Sequence, residues 1–262
     1  MYSCQINCII LCILYHMEQI REPHVNLEGF RPLIIAMEIA GTILIILVAV
    51  WCGIYRGGFA WNSNPALEFN WHPLLMVIGF VFLYANGMLI YRIQRNTRKR
   101  RLKLIHAGIM ILIVALVVIS LVAVFDSHNL QLKPIPNMYS LHSWLGLTSV
   151  ILFCCQWLTG FLFFLYPGLK FPLRASYMPI HVYFGIAGFV AVIASSLSGL
   201  NEKAFFVLGS NYTHLVGEAL LINFIGVMLI LFGGLAVYLV SCERYKRLPI
   251  AEDEALVGGS AQ

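Results

Sequence analysis

Six apolar runs decide what this chain can fold into. They lie near 33–55, 72–91, 104–125, 142–165, 179–200 and 215–240. Each is long enough to cross a hydrocarbon layer of about 30 Å at about 1.5 Å per residue. A lone apolar segment in lipid must satisfy its own backbone, so every run is predicted to be an α-helix. Composition agrees: of 262 residues, 60% are hydrophobic and 11% charged, where soluble domains carry roughly a quarter charged. The mean hydropathy is +0.83. The expected fold is an all-α membrane protein with six transmembrane helices. A single membrane domain over 33–245 would lie between an N-terminal segment, 1–32, and a tail, 246–262. The apolar stretch "INCIILCILY" (6–15) is too short to span and has no basic start, so it reads as interfacial and not as a signal peptide.

The formal net charge of +5 matters less than where the charges lie. Loops 56–71, 126–141 and 201–214 hold one basic residue each, namely Arg56, Lys133 and Lys203, and the opposite side holds fourteen. Seven of these fall in "RIQRNTRKRRLK" (92–103). The positive-inside rule therefore sets both termini in the cytoplasm. The sequon at Asn211 falls on the non-cytoplasmic side, as glycosylation requires. Basic residues that flank apolar spans do not make a nucleic-acid face, and no nucleic-acid partner is expected. The seven cysteines are odd in number and lack paired zinc spacing, so neither a disulfide framework nor a zinc site is expected. Cys4, Cys8 and Cys12 share one helical face that palmitoylation could use, but the ordinary reading is packing.

Four of the eight histidines open helices: His72 in "NWHPLLMVIG", His106 in "LIHAGIMIL", His142 in "SLHSWLGL" and His181 in "PIHVYFGIAG". Imidazole is costly in hydrocarbon, and an ionisable residue there marks function by default. Three readings compete. The histidines could be structural, each bonded to a carbonyl or serine. They could form a proton relay in a haem-free, proton-coupled transporter, for which inverted repeats or broken helices would be the sign. They could be axial ligands of haem, which requires pairs at matching depth on facing helices. Topology leaves one pairing by side: His72 with His142 outside, and His106 with His181 inside. Gly79, Gly108, Gly146, Gly185 and Gly188 follow these histidines within about two turns. A macrocycle or a neighbouring helix can come close there.

The motifs "NMYSLHSWLGL", "FNWHPLLMVIG", "MLIYR", "SGLNEKAFF" and "LRASYMPIHVYFG" resemble the cytochrome b561 family of ascorbate-dependent transmembrane oxidoreductases, in family order over about 33–250. "YRGGFAW" and "VAVFDSH" resemble its animal branch. The resemblance implies that helices 2–5 form a four-helix bundle around two b haems, held by the two histidine pairs. It also implies a homodimer, cytoplasmic ascorbate as donor, and monodehydroascorbate or ferric iron as acceptor across the bilayer. A secretory-vesicle, lysosomal, endosomal or plasma membrane is the expected setting.

Matched positions imply the site residues. Lys99, Lys103 and Arg174 would hold ascorbate, an anion that a cationic mouth concentrates. Arg92, Lys99 and Lys246 would lie near the inner haem. Asn137, Met138, Tyr139, Ser140 and Glu202 would line the outer one, and His128 the outer substrate or metal site. Several also have a plain reading: membrane-edge anchors for the cations, a solvated loop carboxylate for Glu202, and an exposed histidine for His128. His214 matches no motif. Ser140, Ser143 or a backbone carbonyl is expected to orient His142 through its second ring nitrogen. One departure is that Ile54 precedes "YRGG" where the ferric-reductase branch tends to carry histidine, so the match leans toward the ascorbate-regenerating branch. The acidic tail "AEDEALVGGSAQ" reads as disordered.

Overall fold

The computed structural model describes residues 27–248. The stretch 6–15 that reads as interfacial, Cys4, Cys8, Cys12, His16, His24 and the acidic tail lie outside the described residues. Six long helices follow one another: α1 (Phe30–Tyr55), α2 (Pro65–Ile93), α3 (Lys99–Asn129), α4 (Leu141–Leu165), α5 (Phe171–Leu208) and α6 (Gly217–Ser241). There is no strand among the described residues. All six are long and apolar enough to cross a membrane, and the chain is an integral, multi-pass membrane protein.

Burial runs inside out compared with a water-soluble bundle. Phe224 is 64% exposed and Ile35 58%, whereas Met37, Leu44 and Phe232 are fully buried. Large aliphatic side chains on the outside need a lipid solvent, because water would leave that belt as one continuous apolar patch. Inside, small residues let helices close: a Cβ on Gly41 would stand 2.5 Å from Phe82 and 2.7 Å from Phe232.

The helices pack in pairs, the central four as two hairpins. α2 packs along α3, α4 along α5, and α1 against α6. α5 also touches α2, which draws the two central hairpins together. At one end, Trp51 Nε1 donates to Glu218 Oε1 (2.8 Å), and Arg56 bridges the same oxygen at 3.3 Å. That network joins the ends of α1 and α6. At the opposite end, the Tyr245 hydroxyl donates to the Glu28 carbonyl (3.1 Å), and Arg247 donates to the Arg95 carbonyl (2.9 Å). The two ends of the described chain therefore sit together, beside the basic α2–α3 turn, as an even number of crossings requires.

The boundaries of α5 differ most from expectation. α5 starts at Phe171, not 179, and Pro179 lies inside it. Pro172 occupies the first turn, where its missing N–H costs nothing. Proline within a membrane helix is tolerated when neighbours re-satisfy the freed carbonyl. α5 also runs on to Leu208, so Glu202 and Lys203 are helical and not in a loop. Asn-Glu-Lys-Ala offers no breaker, and the helix stops at Gly209, where φ is 51°.

Candidate functional site

The four helix-opening histidines meet in two pairs. His72 on α2 and His142 on α4 have ring centroids 6.1 Å apart, with planes at 79°. His106 on α3 and His181 on α5 are 6.4 Å apart, at 74°. A metal–imidazole bond of about 2 Å on each side, with the step from nitrogen to ring centre, gives a similar span for one shared ion.

Three of the four rings are anchored by the adjacent helix of their own hairpin. His142 Nδ1 lies 2.8 Å from the Ser195 carbonyl of α5, and His106 Nδ1 lies 2.8 Å from the Gly87 carbonyl of α2. His72 Nδ1 is 3.3 Å from the Ser120 carbonyl and 3.0 Å from Ser120 Oγ. A carbonyl only accepts, so Nδ1 carries the hydrogen in these rings and Nε2 keeps its lone pair. Ser120 and Ser195 act alike: each hydroxyl donates to the carbonyl of the histidine it faces, at 3.2 and 3.3 Å. His181 differs, because its buried Nδ1 has no hydrogen-bond partner among the described residues.

Ser140 and Ser143 do not orient His142. They cap α4 reciprocally, with Ser140 Oγ accepting from Ser143 N at 3.3 Å and Ser143 Oγ accepting from Ser140 N at 3.1 Å. Those groups are committed to the helix end, and the carbonyl that holds the ring comes from α5. The glycines that touch the rings are also other than expected. A Cβ on Gly199 would lie 2.5 Å from His142 Nδ1, and one on Gly160 3.1 Å from His181 Cε1. Of the expected set, Gly79 faces Leu116, Gly146 faces Ser195 and Gly188 faces the Tyr84 hydroxyl, while Gly108 and Gly185 face open space.

Beside the His106–His181 pair is a cleft of about 390 Å³, lined by Arg100, Lys103, Phe164, Arg174 and the α4–α5 turn. Phe164 links it to the pair, since its carbonyl accepts from Lys103 Nζ (3.2 Å) and its ring centroid is 5.3 Å from that of His181. Arg174 Nε is buried and, among the described residues, has no hydrogen-bond partner. Arg100 was not foreseen, and Lys99 does not line the cleft. Arg92 donates to the Cys242 carbonyl. Lys246 is exposed and pairs with Glu243 (2.7 Å), and that hydrogen bond holds the Glu243 carboxyl below its usual range.

At the end of the bundle that holds His72 and His142, His128 Nδ1 is 3.0 Å from Asn137 Oδ1, and Asn137 Nδ2 donates to Asn129 Oδ1 (2.8 Å). The end of α3 and the segment before α4 are thus tied together. Met138 has φ of 57°, and its carbonyl accepts from Trp144 Nε1 (2.9 Å). Tyr139 is 56% exposed and Glu202 half-buried. Asn211 is exposed within a 3₁₀ turn, Gly209–His214.

Fold and site together define a multi-pass membrane protein with two pairs of facing intramembrane histidines. The chain matches the model of eukaryotic cytochrome b561 over residues 71–207, a stretch that holds all four. It is 42% identical over 229 residues to the transmembrane ascorbate-dependent reductase CYB561 of Sus scrofa, covering 87% of this chain and 89% of that protein. It is 42% identical over 219 residues to the Homo sapiens protein of that name, covering 84% and 86%. It is 41% identical over 240 residues to the plasma membrane ascorbate-dependent reductase CYBRD1 of Mus musculus, covering 90% and 82%. The chain belongs to the cytochrome b561 family, whose members bind haem b.

Proposed function

We propose that this chain is an ascorbate-dependent transmembrane reductase, carrying electrons from cytoplasmic ascorbate to monodehydroascorbate or ferric iron on the other side. The observation that carries the reading is the pair of histidine pairs. In each pair the rings lie about 6 Å apart, and carbonyls engage Nδ1 in three of the four, which leaves Nε2 as the nitrogen for a shared ion. His72 with His142, and His106 with His181, would each hold one haem b, two per chain. Haem b, held by these imidazoles, would supply a reversible one-electron couple.

The chain's own residues do the rest. Arg100, Lys103 and Arg174 would bind the ascorbate anion in the cleft, and Lys99, one turn before Lys103, adds to the field that gathers it. Phe164, against both Lys103 and His181, excludes water between donor and inner pair. Arg92 and Lys246 lie on the cytoplasmic side of this pair. At the outer mouth, His128 and Asn137 form a polar edge for the acceptor, with Met138, Tyr139, Ser140 and Glu202 along the wall of the outer pair. The N-terminal segment and tail face the cytoplasm, Asn211 is the glycosylation site, and the protein is a homodimer in a secretory-vesicle, endosomal, lysosomal or plasma membrane. The test is the visible spectrum of purified protein: ascorbate should give a b-type reduced spectrum with two components. Absence of any ascorbate-reducible haem would return the histidines to the proton-relay reading.

A further inference from the structure

Three residues of α5, each four positions from the last, face the outer histidine pair. Ser195 binds His142, Gly199 presses on its ring, and Lys203 follows one turn further along the same face. The Lys203 ammonium is held over an aromatic ring, with Nζ 3.7 Å from the centre of Phe69. The Phe69 centroid is in turn 6.1 Å from that of His72. Among the described residues, no carboxylate forms an ion pair with Lys203. Glu218 at the same end is engaged by Trp51 and Arg56.

A cation–π contact fixes an ammonium in place without cancelling its charge. An uncancelled positive charge near a metal couple favours the less positive, reduced form, and does so more strongly where water is excluded. Reduction potentials of ligated iron respond to local charge and solvent exposure. Neither Phe69 nor Gly199 can screen the field.

We propose that Lys203 tunes the outer site, its ammonium raising the reduction potential at the His72–His142 pair so that this pair accepts the electron more readily. The inference rests on the haem reading above. Lys203 touches neither the metal position nor a substrate, so it acts as a positioning charge.

The test is a redox titration followed by visible absorption on purified full-length holoprotein. The variants are Lys203→Met, Lys203→Arg, and Lys133→Met as an exposed outer-side control. The outer component is identified by its loss in His142→Ala. In Lys203→Met, the reduced-to-oxidised ratio of the outer component should fall about tenfold at fixed ambient potential, which is about 59 mV for one electron. The inner component should not move, and Lys203→Arg and Lys133→Met should match the wild type. An unmoved outer component in Lys203→Met, or an equal fall in Lys203→Arg, overturns the inference. If Lys203→Met does not assemble, Lys203→Gln compared with Lys203→Arg is judged by the same criteria. A wild type without ascorbate-reducible haem overturns the functional reading instead. Two normal components with an unmoved outer potential overturn this inference alone.

Discussion

Gly199 shows how little room surrounds the outer histidine. Any side chain there drives a carbon to 2.5 Å from His142 Nδ1, and the ring cannot retreat without losing the Ser195 carbonyl. Gly199→Ala should therefore remove the outer haem component from the visible spectrum and spare the inner one. Gly234→Ala, on a glycine with nothing within 4 Å, should leave both. The four histidines were legible in the sequence because imidazole is conspicuous in an apolar run. Their supports were not. Ser195 lies 53 positions from His142, on another helix, and only the fold brings it near. The glycines chosen by spacing followed each histidine along its own helix. Those in contact, Gly160 and Gly199, lie on the helix next door.

Helices were the most legible feature, because hydrocarbon allows a lone segment only one backbone solution. Their ends were less so, since a helix passing into water obeys ordinary breakers, and α5 runs past both expected limits to reach them. That extension has consequences at both ends. At its start, α5 carries Arg174 into the cleft, where Arg100 and Lys103 of α3 meet it. A charged hydrogen bond to an anion contributes about 1.5–3 kcal/mol. Lys103→Ala or Arg174→Ala should thus raise the KM for ascorbate about tenfold or more, and Arg100→Ala should do so as well. Wild-type KM values in all three variants would remove the cleft as the donor site. The α1–α6 pair depends on Glu218, which serves Trp51 and Arg56 together. Glu218→Ala leaves both donors without an acceptor and should cost about 1–3 kcal/mol, read as a lower thermal midpoint in detergent. The haem spectrum of the folded protein should be unchanged.

Across the whole molecule, the α2–α3 and α4–α5 hairpins repeat one device: a histidine on each helix, steadied from the other. Ser120 serves His72 as Ser195 serves His142, and His106 binds Gly87 where His181 rests against Gly160. Facing the two hairpins against each other sets one pair at each end, which is the architecture a transmembrane electron carrier needs. With a cationic mouth at one end, the KM for ascorbate should rise with ionic strength, because salt screens exposed charges beyond a Debye length of about 8–10 Å. The central claim is vectorial transfer through both pairs. It is tested most directly in sealed vesicles carrying the purified holoprotein, with ascorbate trapped inside and a membrane-impermeant ferric chelate outside. External iron should be reduced at a rate set by internal ascorbate, and His106→Ala, which removes the inner haem, should abolish that reduction. Wild-type vesicles that reduce no external iron or monodehydroascorbate, or His106→Ala vesicles that reduce it at the wild-type rate, would contradict the account.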